Sequence, residues 1–241
     1  MTPIIFDTET SGVDPEKDQI IEEAYIELPD TPAAFLAVRN RMQFPHHHQR
    51  YRATVPIGLG AQATHHIICS DLIGCPDADG YQPPMHAGIW IGHNIDFDWR
   101  MAGEPEVKRI CTLALSRFLF PQLDSHTQSA MLYYIGRRNG KEDTVRDLLR
   151  NAHAALDDVR NCSILLRFLL QQAAEKGHDV EDWEDVLALS DLARIPTIMG
   201  FGKHKGTPIV RGQLDPGYVS WYRRQDETDP YYLAAFIKAG F

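Results

Sequence analysis

Asp7 and Glu9 stand two residues apart at the end of an apolar run, Ile4-Ile5-Phe6, and a Thr10-Ser11-Gly12 turn follows them. If the run is a strand that continues through Glu9, its period of two places both carboxylates on one face and turns Thr8 away. Two like charges held side by side raise each other's pKa and weaken a fold, unless a divalent cation stands between them. A solvated strand end accounts for most Asp-x-Glu triplets, so the pair alone carries little weight. Two further acidic groups lie downstream: Asp96 and Asp98 in His93-Asn94-Ile95-Asp96-Phe97-Asp98, and Asp157 with Asp158 shortly after His153. Acidic residues are favoured in a helix's first turn by the macrodipole, which gives the last pair an ordinary explanation too. The ordered set of three has no ordinary explanation as good.

The elements that must position these groups read as alternating strands and helices. A polar turn, Asp14 to Asp18, separates the first strand from a second at Gln19 to Leu28, and the two form a hairpin. From Pro29 to about Leu59 four prolines interrupt the pattern, and His46-His47-His48 is expected in a solvated loop. A short helix within Ala61 to Leu72 carries His65 and His66; with Cys69 and Cys75 nearby, the spacing matches no common zinc pattern. Gly88 to Gly92 is a short buried strand delivering His93 to Asp98 at its C-terminal end, where ligand sites of open α/β sheets gather. Helices are expected over Ile110 to Phe120, Gln128 to Ile135 and Thr144 to Arg150, with a basic turn from Gly136 to Gly140. A longer amphipathic helix runs from about Ala154 to Glu175, with Leu156, Val159, Leu166 and Leu170 on one face. Another helix, Glu181 to Ala193, precedes a glycine-rich basic stretch, Ile198 to Gly206, and an aromatic helix over roughly Pro216 to Arg224.

The 241 residues suffice for one sizeable core plus a small appendage. A formal net charge of −9 argues against broad electrostatic wrapping of nucleic acid. The charge is uneven: Thr197 to Phe241 holds six Lys/Arg and four Asp/Glu, so 6 − 4 = +2, leaving −9 − 2 = −11 for the remainder. An acidic body that needs cations, with a basic tail, suits an enzyme that grips phosphate locally. No apolar run approaches the ~20 residues of a membrane span. The chain opens directly on a strand, and Cys69, Cys75, Cys111 and Cys162 lack paired C-x-x-C spacing, so a cytoplasmic location is expected.

Taken together, Phe6-Asp7-Thr8-Glu9-Thr10, His93-Asn94-x-x-Phe97-Asp98 and His153-Ala154-Ala155-Leu156-Asp157-Asp158 resemble the three motifs of the DEDDh exonucleases, the proofreading exonuclease and RNase T superfamily. Family spacing selects Asp98 over Asp96 and Asp158 over Asp157. The likeness extends to Ile20-Ile21-Glu22-Glu23-Ala24, similar to the family's second strand, and to Ile110-Cys111-Thr112-Leu113. Ala63-Thr64-His65-His66-Ile67 resembles an Ala-x-x-His-Gly-Ile segment, with Ile67 after His66 where many members have glycine. Phe201-Gly202-Lys203-His204-Lys205-Gly206 and the Tyr218/Trp221 helix resemble the C-terminal element of exodeoxyribonuclease X-like proteins.

The resemblance implies an α/β fold, a ribonuclease H-like mixed β-sheet flanked by helices with a short C-terminal appendage. The expected division is an exonuclease domain over 1–177, a helical linker over 178–196 and a basic, aromatic element over 197–241. It implies Asp7, Glu9, Asp98 and Asp158 as ligands of two divalent ions and His153 as general base, a role its ordinary pKa near 6.5 suits. Implied nucleic-acid contacts are Thr8, Thr10, His66 and Asn94. Lys203, His204, Lys205 and Arg211 in the tail would meet phosphates, and Tyr218 or Trp221 would stack on bases. Hard Mg²⁺ or Mn²⁺ wants carboxylate oxygens, and two such ions suit phosphodiester hydrolysis. The expected activity is 3′→5′ hydrolysis of DNA, with single-stranded 3′ ends preferred. RNA ends, as in RNase T or oligoribonuclease, are the rival substrate. A non-catalytic nucleic-acid-binding module and a small-nucleotide phosphodiesterase also fit parts of the pattern.

Overall fold

The computed structural model describes residues 2–40, 43–151, 154–225 and 228–241. The apolar run predicted near the N-terminus is β1 (Thr2–Thr10), the central strand of a five-stranded sheet. It pairs antiparallel with β2 (Ile20–Glu27), and β2 pairs antiparallel with β3 (His46–Arg50). On its other side β1 pairs parallel with β4 (Ala87–Gly92), which pairs parallel with β5 (Lys108–Cys111). The order β3-β2-β1-β4-β5 makes a mixed sheet, and Ile4, Ile5 and Phe6 are fully buried because β1 is covered on both faces. Phe6 packs against Trp90 on β4 with ring centroids 4.3 Å apart.

Between β2 and β4 lie two short helices, α1 (Pro32–Ala37) and α2 (Leu59–His65). The parallel strands β4 and β5 are joined by α3 (Ile95–Met101), and α4 (Thr112–Leu119) leaves β5 directly. Next come α5 (Gln128–Arg138), α6 (Glu142–Leu148) and α7 (Ala155–Glu175). The last of these packs on β1 and β2 with Ala155, Val159, Cys162, Leu166 and Leu169 buried. The long α7 follows the predicted amphipathic span closely. None of the helices described is long and apolar enough to cross a membrane.

Three expectations are corrected. His46 to His48 belong to an edge strand rather than a loop; His48 and His47 face the acidic Glu22 and Glu23 of β2, which supplies the partners an isolated triplet lacks. Ile110 and Cys111 end a strand, and the helix starts only at Thr112, where the Cys111 sulfur caps it by accepting the Ala114 N–H at 3.5 Å. Helix α5 runs through Gly136 to Arg138, so the basic turn is confined to its end; Gly136 lies where α5 meets α6, and a Cβ there would stand 2.6 Å from Val145.

The chain divides into two compact units, residues 1–190 and 191–241, with the boundary inside α8 (Trp183–Arg194). The second unit has its own core of Met199, Ile209, Leu214, Tyr218, Val219, Tyr222, Ala235 and Phe236. Two helices build it, α9 (Pro216–Tyr222) and α10 (Pro230–Lys238), each opened by an Asp-Pro pair whose Asp side chain caps the first turn.

Candidate active site

The carboxylates of Asp7 and Glu9 point from the end of β1, and Asp158 comes in from the first turn of α7. One carboxylate oxygen from each of the three lies within 4.8 Å of the others, and among the described residues this is the one group with metal-ligand geometry. Burial first, and then the neighbouring negative charges, raise the pKa of both Asp7 and Glu9. Burial, then Asp98, Asp158 and Glu9, holds Asp7 well above the usual carboxylate range. Burial, then Asp158, Glu22 and Asp98, pushes Glu9 up to about 9.

Asp98 is the fourth predicted carboxylate and stands outside the group of three. It is buried on α3, and its Oδ1 accepts two bonds from Thr8: the main-chain N–H at 3.0 Å and the hydroxyl at 2.8 Å. The Thr8 hydroxyl is thus spent on orienting Asp98. Burial pushes Asp98 up to about 7 against the lowering effect of these bonds. The approach of α3 to β1 depends on Gly92: a Cβ there would meet the Phe6 carbonyl and the Ile95 side chain, each at 2.9 Å.

The neighbouring acids have other partners. Asp96 receives Arg109 at 2.5 Å, and Asp157 pairs with Arg160 at 3.4 Å. Asp158 is oriented by Gln128, whose Nε2 donates to its Oδ1 at 3.1 Å and to its carbonyl at 3.2 Å. Nothing in the sequence singles out Gln128; its position as first residue of α5 acquires meaning only when α5 packs beside α7. His153 lies outside the described residues.

The predicted nucleic-acid contacts separate into two kinds. Thr8 and Thr10 are buried, with the Thr10 hydroxyl donating to the Gly12 carbonyl at 2.6 Å. Asn94 and His66 are exposed, and both take left-handed backbone, φ 73° and φ 60°. In the Ala-x-x-His-Gly-Ile comparison the left-handed residue, the position glycine fills most easily, is His66. Its neighbour His65 is the buried imidazole. The Nδ1 of His65 accepts the Ile67 N–H at 2.9 Å, which leaves Nε2 to donate to the Thr10 carbonyl at 3.2 Å. His65, rather than His66, is thus the imidazole buried against the end of β1.

In the C-terminal unit Lys203 and Lys205 are exposed. A cavity of about 500 Å³ is lined by Phe201, Lys203, Asp215, Tyr218 and Trp221. Tyr218 is mostly core, with Lys203 Nζ 5.7 Å from its ring centre, whereas Trp221 is 48% exposed.

The cluster is all hard oxygen, and close carboxylates that repel without a counter-ion fit a divalent cation. A mixed sheet of this order with an acidic group at the end of its central strand is a ribonuclease H-like fold, and solved exonucleases share it. No protein-family model matches the chain. It is 28% identical to Escherichia coli exodeoxyribonuclease 10 over 229 residues, covering 94% of this chain and 93% of the relative. It is 26% identical to the PolC-type DNA polymerase III of Bacillus cereus over 196 residues, 75% of this chain but 12% of the polymerase. Exonuclease X, solved with 5′ overhanging duplex DNA, matches with a TM-score of 0.52 and 24% identity, covering 77% of this chain and 99% of that one. Escherichia coli exonuclease I, solved with a dT13 oligonucleotide, matches with a TM-score of 0.53 and 15% identity over 83% of this chain and 48% of that one. The resemblance to the DEDDh exonucleases, and to exodeoxyribonuclease X among them, is borne out over nearly the whole chain.

Proposed function

We propose that the protein is a divalent-metal-dependent 3′→5′ exonuclease that hydrolyses terminal phosphodiester bonds of DNA, prefers single-stranded 3′ ends and releases 5′-mononucleotides. The observation that carries this reading is the convergence of Asp7, Glu9 and Asp158 at the end of β1, with Asp98 held beside them by Thr8. Likeness to an exodeoxyribonuclease over 94% of the chain supports DNA as the substrate.

Asp7, Glu9, Asp98 and Asp158 would hold two Mg²⁺ or Mn²⁺ ions. When bound, these ions acidify a water and offset the charge that grows on the leaving oxygen. The chain's own residues do the rest. Thr8 and Gln128 fix two of the carboxylates in place. His153 takes the proton of the attacking water, a task for a group that titrates near neutrality. Asn94 and His66 present exposed side chains to the strand. Residues 1–177 form the catalytic domain and 178–196 a helical link. In the element at 197–241, Lys203 and Lys205 contact phosphates while Trp221 stacks on bases. Four unpaired cysteines suit a reducing cytoplasm.

The test uses 5′-labelled DNA and RNA oligonucleotides of one sequence with Mg²⁺. A descending ladder on DNA, abolished by chelator, is expected. A ladder on RNA alone would transfer the reading to an RNase T-like enzyme, and no ladder on either would reject the nuclease.

A further inference from the structure

The histidine strand β3 has a place in the site that its sequence does not announce. Glu22 is 0% exposed on β2, directly across the ladder from Glu9. Its Oε1 accepts the Arg50 Nε–H at 2.6 Å and the His48 Nε2–H at 3.0 Å, both from β3. Its Oε2 accepts the main-chain N–H of Ala155 at 2.9 Å. Ala155 is the first residue of α7, and the residue before it, Ala154, has no side chain able to cap the helix. A carboxylate 133 residues away therefore fills that role, where exposed N–H groups and the helix dipole favour a negative charge. Asp158 follows three residues later, one turn up the same helix, its N–H donating to the Ala154 carbonyl at 3.0 Å.

Three donors occupy both oxygens of Glu22, so it is not arranged as a metal ligand although it faces Glu9. Arg50 and His48 sit on an edge strand with about a third of each side chain exposed, 36% and 37%, so no core demands them. Their common contact is the carboxylate that starts α7.

We infer that Glu22, His48 and Arg50 form a clasp that anchors the first turn of α7 and so sets where Asp158 stands relative to Asp7 and Glu9. They are positioning residues: none of the three belongs to the acidic group itself. The inference rests on the proposed metal site. Residues that orient metal ligands from behind typically carry 10- to 100-fold in metal affinity or activity, roughly what a 1 Å misplacement costs.

The experiment compares wild type with Arg50→Ala, Arg50→Lys, His48→Ala and His48→Gln. Two quantities are measured for each: the Mn²⁺ concentration that half-saturates the rise in melting temperature, and kcat and KM on single-stranded DNA well below every melting temperature. Arg50→Ala should lower kcat about tenfold or more with KM within about twofold, the pattern of a lost transition-state alignment rather than lost binding. It should also raise the half-saturating Mn²⁺ several-fold. His48→Gln, which keeps an N–H donor, should recover most of what His48→Ala loses, and Arg50→Lys part of what Arg50→Ala loses. Wild-type kcat and Mn²⁺ midpoint in both alanine variants would overturn the clasp. If wild type itself neither cuts DNA nor responds to Mn²⁺, the proposed metal site fails instead. A fold loss in Arg50→Ala would leave the His48 pair to decide.

Discussion

Glu9 and Glu22 face each other across the β1/β2 ladder and are the same side chain in opposite circumstances. Glu9 is surrounded by acids, and its proton is held up to about 9 by burial and then by Asp158, Glu22 and Asp98. Glu22 is also buried, yet its pKa is lowered: burial pushes it up, and the bonds from Ala155, Arg50 and His48 outweigh that. A few ångströms of ladder separate a carboxylate that waits for a counter-ion from one that already has its partners. The difference teaches that burial alone does not mark a reactive group; what matters is whether the neighbours donate or repel.

The largest effect expected along this contrast is at the acidic group. Asp7→Ala should cut DNA hydrolysis by roughly a thousandfold, the upper end for loss of one electrostatic group at a reacting centre, and should abolish stabilisation by Mn²⁺. A quantitative turnover assay and a thermal melt with and without Mn²⁺ check both.

The two glutamates should then respond with opposite signs to the same change. Glu22→Gln puts an amide against donors and should cost about 1–3 kcal/mol, the penalty of a buried polar group left mismatched. Glu9→Gln removes the cost of keeping this carboxyl protonated in the metal-free fold at neutral pH, so it should raise the metal-free melting temperature while removing most of the rise on adding Mn²⁺. Denaturant unfolding of both variants without metal measures the contrast, and equal destabilisation would erase it.

A smaller effect should appear in pH dependence. For a carboxylate whose pKa is raised by folding, the stabilising contribution is complete below its unfolded value and is lost as pH rises through the folded value. Glu9, raised from 4.5 to about 9, and Asp98, raised to about 7, should therefore make the metal-free protein lose stability as pH climbs from about 5 to about 9. Glu22, lowered from 4.5, acts the other way: its contribution is present above that value and is lost as pH falls through its folded pKa. Saturating Mn²⁺ should flatten the alkaline loss, and melting curves at several pH values would reveal a slope unchanged by metal if this account is wrong.

The smallest expected effect lies in the C-terminal unit, where exposed lysines carry the proposed contacts. Lys203→Ala combined with Lys205→Ala should weaken single-stranded DNA binding and reduce the slope of log K against log salt by about 1.4, two phosphate contacts at ~0.7 each. Titrations at three salt concentrations measure it, and an unchanged slope would make these lysines surface charge alone.

Residue type and short spacing made half of the acidic group legible before any fold, since Asp7 and Glu9 share a strand face; the choice of Asp158 over Asp157 came from the resemblance to the DEDDh motifs, and the structure brings Asp158 to the other two. What stayed hidden depends on partners distant in the chain. His48 reads as a solvated loop residue until β2 brings Glu22 to it, 26 residues away. Gln128 is unremarkable until α5 packs by α7 and meets Asp158 across 30 residues. The boundary between β5 and α4 was lost because a short apolar stretch suits either strand or helix. For α10 the signal was present: Asp229-Pro230 is a cap followed by proline at the first helical position, the same opening as α9.

The most direct test of the account sets two neighbouring aspartates against each other. Asp157→Asn and Asp158→Asn make the same chemical change one residue apart on α7, and each is assayed on 5′-labelled single-stranded DNA with Mg²⁺. The account predicts that Asp157→Asn, which alters a surface pair with Arg160, yields the wild-type ladder, whereas Asp158→Asn yields none on the same time scale. A full ladder from Asp158→Asn, or equal loss in both, would contradict the assignment of the Asp7, Glu9 and Asp158 group as the hydrolytic centre.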